Sequence, residues 1–267
     1  MRQLATVTVL FALATPAAAF DHRHSAWNRL LARHVTVSED GHASSVDYAR
    51  FKQDREALSA YLRQLSTVQP TEYRGWTRKR RLAFLINAYN AWTVDLVLGS
   101  YPELASIKDL GSLFSSPWSK RFFSLLGERR SLDDVEHGLI RKPGDFDEPR
   151  IHFAVVCASV GCPMLRPEAY VAERLDAQLE DSMRRFLGDR TRNRFDERAG
   201  ALKVSKIFDW YEEDFDGRSR DFTSLAATFS AYADVLAESD PARSAIRAGN
   251  YRVDFLDYDW SLNDKRR

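Results

Sequence analysis

Cysteine is scarce in this chain, with two residues among 267. Both lie in one short stretch, "RIHFAVVCASVGCP" (residues 150–163), which confines any thiol chemistry to that place. An excess of one charge is lacking as well: 39 Lys and Arg face 38 Asp and Glu, a net charge of +1. That balance leaves no electrostatic footprint for nucleic acid. The one dense basic cluster, Arg78-Lys79-Arg80-Arg81, precedes a strongly apolar segment and reads as the solvated start of a helix. Internal repeats and low-complexity linkers are missing, which favours one domain. Long lipid-like runs are missing beyond the first residues. Residues 2–19, "RQLATVTVLFALATPAAA", begin with arginine, continue apolar and end on Ala17-Ala18-Ala19, the pattern of a secretory leader cut after Ala19. The run is too short for a membrane span, which needs roughly 20 apolar residues. No cysteine follows the cut, so lipid attachment there is not indicated. The expectation is a signal peptide over 1–19 and a single exported, periplasmic or extracellular globular domain over 20–267, without an integral membrane segment.

Periodicity then sketches an α+β domain, rich in helix, with a small, mainly antiparallel sheet. Tyr48, Phe51, Leu58, Tyr61, Leu62 and Leu65 fall at helical spacing. "RLAFLINAYNAWTVDLVLGSYP" is apolar almost all round and predicts a buried helix ending near Gly99 and Pro102. Residues 100–120 read as a long loop or broken helical turns. "RFFSLLGERRSL" predicts a hairpin turning at Gly127. "SLDDVEHGLIRKPG" predicts a helix capped by Ser131 with Asp134 three residues on. "IHFAVVC" is continuous, apolar and β-branched, and so predicts a buried strand. "YVAERLDAQLEDSMRRFL" predicts a further amphipathic helix. A second hairpin turns at Ala199-Gly200, Ser205 caps the next helix, and "YRVDFLDYDWSLN" supplies a late strand and tail.

Three groups of residues carry candidate chemistry. Cys157 sits at the C-terminal end of the predicted strand. With Cys162 it is a disulfide, a metal-ligand pair, a catalytic thiol or part of the core; compartment and spacing leave all four open. In a strand, His152 and Cys157 would point to opposite faces about 16 Å apart, which makes His152 a poor base for that thiol. The better-placed base is His137, one helical turn from Asp133, with Arg141 a turn further and Glu136 projecting about 100° away. An aspartate there would hold the imidazole tautomer as a triad requires. Asn87, Asn90 and Thr93 form a polar stripe along the apolar helix, as a structural network or as amides supporting a site. The early histidines His22, His24, His34 and His42 read as a flexible or surface segment. No cofactor or metal ligand set is assigned.

The blocks "FLINAYNAWTV", "SLDDVEHGLIR", "IHFAVVCASVGCPML…AY", "LKVSKIFDWYEEDF" and "DYDWSLN", in order from about residue 45 to 263, resemble the domain of unknown function 547 family. The resemblance implies that Asn87, Asn90, Glu136, His137, Arg141, His152, Cys157 and Pro163 match family motifs, without implying a role for any of them. The leading expectation is a thiol-dependent hydrolase or acyl-transferase acting on a small-molecule or peptide ligand. Cys157 is its nucleophile, His137 its base, Glu136 or Asp133 the orienting carboxylate, and Asn87 or Asn90 a polar support. Its rival is a non-enzymatic envelope binding or assembly domain stapled by a Cys157–Cys162 disulfide. A third reading has Cys162 resolving an oxidised Cys157, although C-x4-C is wider than the usual C-x-x-C redox spacing.

Overall fold

A 23-residue helix, Arg78–Ser100, runs through the middle of the protein. Thr77 caps its start by accepting the Arg80 N–H, and from Leu82 to Leu98 it is buried on almost every face. Among the described residues it is the one helix long and apolar enough to cross a membrane, and 78% of its most apolar window is covered by the rest of the fold. The computed structural model describes residues 19–111, 116–217 and 222–266. The expected leader lies outside them except for Ala19.

Around the central helix, Ser25–His34, Arg55–Thr67 and the segment 132–140 close one apolar core. The segment 48–67, expected as one helix, is two, joined by a 3-10 turn at Lys52–Asp54. A second core holds Phe153, Phe186, Phe208, Phe215 and Phe229, gathered from the Pro149–Phe153 turn, the Leu175–Gly188 helix and the C-terminal third. The early histidines are not a loose surface segment. His24 is buried with its Nδ1 2.7 Å from the Tyr61 hydroxyl, and His34 is buried against Phe51 with its Nε2 2.8 Å from Asp54.

The sheets are small and mostly antiparallel. Val35–Val37 pairs with Ser44–Val46, Phe123–Leu125 pairs with Glu128–Arg130, and Arg194–Asp196 pairs with Ala201–Ser205. Both predicted hairpins form, with Gly127 and Gly200 at φ 77 and φ 58, a region open to glycine without steric cost. One pairing is parallel: Ala201–Ser205 lies beside Arg252–Leu256, with Leu202 opposite Val253. A parallel pair needs a long crossover, and residues 206–251 supply it as the helices of the second core.

The strand expected over "IHFAVVC" does not form. Pro149–Phe153 is a 3-10 helix with proline at its start, and Glu148 caps it by accepting the Arg150 N–H. The Ala154 carbonyl and the Val156 N–H face no strand. They are met by one side chain, Asn90, whose Nδ2 donates at 2.9 Å and whose Oδ1 accepts at 3.0 Å. Asn87 does the same for Tyr170, donating to its carbonyl at 2.7 Å and accepting from its N–H at 3.0 Å. The polar stripe of the helix thus replaces a neighbouring strand for two buried chain segments. Buried backbone groups must be paired, and these asparagines pair them. The tail then straps three distant segments of the first core: Leu262 N–H donates to Ala105, Asn263 to Ala158 and Lys265 to Val46. Gly161 lies so close beneath this strap that a Cβ there would sit 2.9 Å from the Asp259 carbonyl oxygen.

Asn90→Ala leaves a buried carbonyl and a buried N–H without partners, so we expect a loss of about 2–5 kcal/mol in urea unfolding. A loss under about 1 kcal/mol would show that water or relaxation replaces the amide.

Candidate functional site: a disulfide-lined aromatic cleft

The predicted cap at Ser131 is present, with Ser131 and Asp134 each bonding the other's backbone N–H at 3.0 Å. After Val135 the helix widens into a π turn over Glu136–Ile140, closed by Arg141 N–H to the Glu136 carbonyl at 2.8 Å. Such single π turns recur at functional sites because the extra residue re-aims side chains. Here Glu136 turns inward and is 5% exposed, whereas the His137 side chain is 47% exposed. Burial pushes the Tyr89 and Tyr211 phenols well above their ordinary range, and the nearby Glu136 charge adds to the shift. Both therefore remain hydroxyl donors.

His137 is held differently from the expected triad. Its Nδ1 lies 2.7 Å from Arg141 Nη1, and a guanidinium only donates, so Nδ1 accepts and Nε2 carries the hydrogen. Nε2 is 4.0 Å from Asp133, beyond hydrogen-bond reach. An oriented Asp–His pair does exist, from residues far apart in sequence. His152 Nε2 lies 2.7 Å from Asp214 Oδ2, which also accepts Arg141 Nε at 2.5 Å, while Arg141 Nη2 reaches Glu213 at 2.8 Å. Burial would raise the Asp214 pKa, but the bonds from His152 and Arg141 hold it well below the carboxylate range. An ionised carboxylate accepts, so His152 presents Nε2–H to it and keeps the lone pair on Nδ1. The ring is buried and stacks on Tyr211 at 3.9 Å, and that burial lowers its pKa.

Cys157 and Cys162 are joined as a disulfide with Cα atoms 6.1 Å apart. Ala158 follows in the left-handed region at φ 60, which reverses the chain immediately after Cys157. Cys162 is buried and Cys157 half-buried. The Cys157 sulfur lies 2.9 Å from the Ser159 hydroxyl and 3.1 Å from that of Tyr258. Burial pushes the Tyr258 hydroxyl up to about 12.

These groups open on one cleft of about 220 Å³. Its lining includes Cys157, Cys162, Pro163, Asp133, Glu136, His137 and His152, the aromatic residues Tyr89, Trp118, Trp210, Tyr211, Tyr258 and Trp260, and Ser116, Val155 and Ile207. Asn87 and Asn90 are bound to backbone elsewhere, and Arg141 lies behind the cleft with Asp214, beside a smaller hollow. Among the described residues, no group of three or more His, Cys, Asp or Glu is placed to hold a metal ion. Asp214 and the aromatic wall were not singled out from sequence. Their signals are the run "DWYEEDF" and the tail "DYDW", both in blocks quoted for the family resemblance.

Fold and cleft together define a helix-rich α+β domain with a disulfide-lined, aromatic-walled site. The family model described as "Protein of unknown function, DUF547" matches residues 73–187 of the chain. The match takes in Glu136, His137, His152, Cys157 and Cys162, while Asp214 and the walls from Trp210 and Trp260 lie beyond it. No curated protein and no solved structure matches the chain.

The lowered pKa of His152 means that the unfolded chain binds a proton more readily below about 6.5. The stability held in the neutral ring is therefore present above that pH and is lost as pH falls through the folded value. Asp214, also lowered, acts in the same direction at lower pH. NMR titration of the His152 ring should give a midpoint below about 6.5. A midpoint above that value would contradict the neutral, Asp214-bound ring.

Proposed function

We propose that the cleft is the active centre of a cysteine-dependent hydrolase or acyl-transferase for a small-molecule or peptide acyl compound. Cys157 is its nucleophile and His152 its base. The observation that carries this reading is that the Cys157 sulfur and the Asp214-bound His152 border the same cleft. The role first expected of His137 moves to His152, because the His137 Nδ1 lone pair is occupied by Arg141 and its Nε2 holds the proton.

A dithiol reductant first gives two electrons and two protons to the Cys157–Cys162 bond, becoming a disulfide itself and leaving two thiols. The Cys157 S–H then passes its proton to His152 Nδ1 while sulfur attacks the acyl carbon. Asp214 stabilises the imidazolium so formed. The oxyanion lies within the field of hydroxyl and N–H donors lining the cleft, with Tyr258 and His137 Nε2–H as the candidates. Collapse expels the leaving group, which takes the proton from His152. Water, or another acceptor activated by His152, cleaves the thioester and restores the thiol. Glu136 and Asp133 shape the cleft's charge, and Asn87 and Asn90 hold the chain segments behind it. Export by the leader at residues 1–19 belongs to the same proposal, since an oxidising compartment keeps the cysteines paired until a reductant arrives.

The disulfide also supports a second reading, a binding domain stapled by Cys157–Cys162 without chemistry. A bridge closing so short a loop contributes at most about 3 kcal/mol.

Mixing reduced protein with p-nitrophenyl acetate should release a burst of one p-nitrophenol per chain and leave an acetyl group on Cys157, detected by mass. The oxidised protein and Cys157→Ala give no burst. His152→Ala slows it about 10²–10⁴-fold and His137→Ala far less. A burst unaffected by Cys157→Ala, or equal in the oxidised protein, would remove Cys157 from the chemistry. Failure of the reduced protein to acylate would leave the staple.

A further inference from the structure

Among the described residues, the cleft is lined by two carboxylates, Asp133 and Glu136, and by no lysine or arginine. Glu136 is the unusual one. It is 5% exposed, and its Oε1 is buried without a hydrogen-bond partner among the described residues. A buried carboxylate oxygen normally has a donor or a cation against it, because leaving it bare costs the full desolvation of the group. The nearest strong cation is already committed: Arg141 donates to Asp214, His137 and Glu213. His152 likewise spends its Nε2–H on Asp214. The Tyr89 and Tyr211 hydroxyls are the neutral donors that neighbour the Glu136 carboxylate, so no hydrogen-bonded cation offsets its charge among the described residues.

Opposite stands a continuous aromatic wall. Trp260 contacts Tyr258, Trp210 and Trp118 with ring centroids 4.5, 5.7 and 5.8 Å away, and Trp210 is 42% exposed. These rings already attract cations from the chain itself. Lys108 Nζ lies 4.7 Å from the Trp260 centroid, and Arg141 Cζ 4.8 Å from that of Tyr211. Electron-rich ring faces beside an unpaired carboxylate oxygen form the chemical complement of an organic cation.

We propose that the cleft recognises an organic cation, an alkylammonium or guanidinium group, with its N–H on Glu136 Oε1 and its carbon skeleton against Trp210 and Trp260. That this cation belongs to the acyl substrate rests on the thiol-enzyme reading above. The recognition itself does not need the thiol.

The test uses the full disulfide-bonded chain and three probes of nearly equal shape: benzylammonium, benzyl alcohol and benzoate. Binding is followed by calorimetry or by NMR shifts of the tryptophan indoles. Benzylammonium should bind at least tenfold tighter than benzyl alcohol, and benzoate weakest. Glu136→Gln should erase the advantage of the ammonium over the alcohol. Trp210→Ala, at an exposed position that leaves the core intact, should weaken both. Cys157→Ser should keep the ammonium preference, so failure of the thiol chemistry is read separately from failure of cation recognition. Alcohol or benzoate binding as tightly as the ammonium, no binding by any probe, or an undiminished preference in folded Glu136→Gln would overturn the proposal. If that variant does not fold, the order of the three probes on the unaltered chain decides.

Discussion

The carboxylate of Asp214 is the junction on which the site depends. Through one oxygen it accepts from both Arg141 and His152, which lie in different chain segments and are themselves largely buried. The π turn carrying Glu136 and Arg141 packs on the first core, while Phe153, next to His152, and Phe215, next to Asp214, belong to the second. The ion pair therefore spans the seam between the two cores, where the cleft opens. Removing one partner from such a buried pair leaves an uncompensated charge, at a cost of about 3–5 kcal/mol, so the junction is costly to break. It also selects the His152 tautomer, and so couples the packing of the two cores to the proposed chemistry between them.

Several parts of this architecture were legible from local rules. The turns at Gly127 and Gly200, the cap at Ser131 and the buried helix around 82–98 each depend on residues adjacent in sequence, where turn chemistry and periodicity suffice. The segment 151–157 was misread for a definite reason. Its apolar, β-branched composition correctly signals burial, but burial does not specify what pairs with the backbone. The partner is Asn90, a side chain more than sixty residues away, and no periodicity in the segment encodes it. The stripe of Asn87 and Asn90 was visible, and its structural role was one of the two readings. The Asp214–His152 pair is as distant, at a separation of 62 residues. Asp133 and His137 had the right chemistry at helical spacing, but the π turn and Arg141 draw the ring away from that partnership.

The disulfide gives the cleft two chemical states. Joined to buried Cys162, the Cys157 sulfur accepts from the neighbouring hydroxyls of Ser159 and Tyr258. Set free, the same sulfur would stay within an aromatic, partly water-excluding cleft beside two histidines. The C-terminal strap holds the cysteine loop through Val160 N–H to Ser261, Gly161 N–H to Asp259 and Asn263 N–H to Ala158, so reduction need not unfold the surroundings.

The central claim is that Cys157, once reduced, is activated by an Asp214-oriented His152. The most direct measurement is the rate of chloroacetamide alkylation of Cys157 against pH, in gently reduced protein and in its His152→Asn counterpart, with the modified residue read by mass. The account predicts that the alkylation rate already rises as the His152 ring becomes neutral, below the ordinary thiol value of about 8.5, and that His152→Asn removes this rise and leaves only the one at the thiol's own pKa. A profile with no rise below the ordinary thiol value, or one that His152→Asn leaves unmoved, would contradict it.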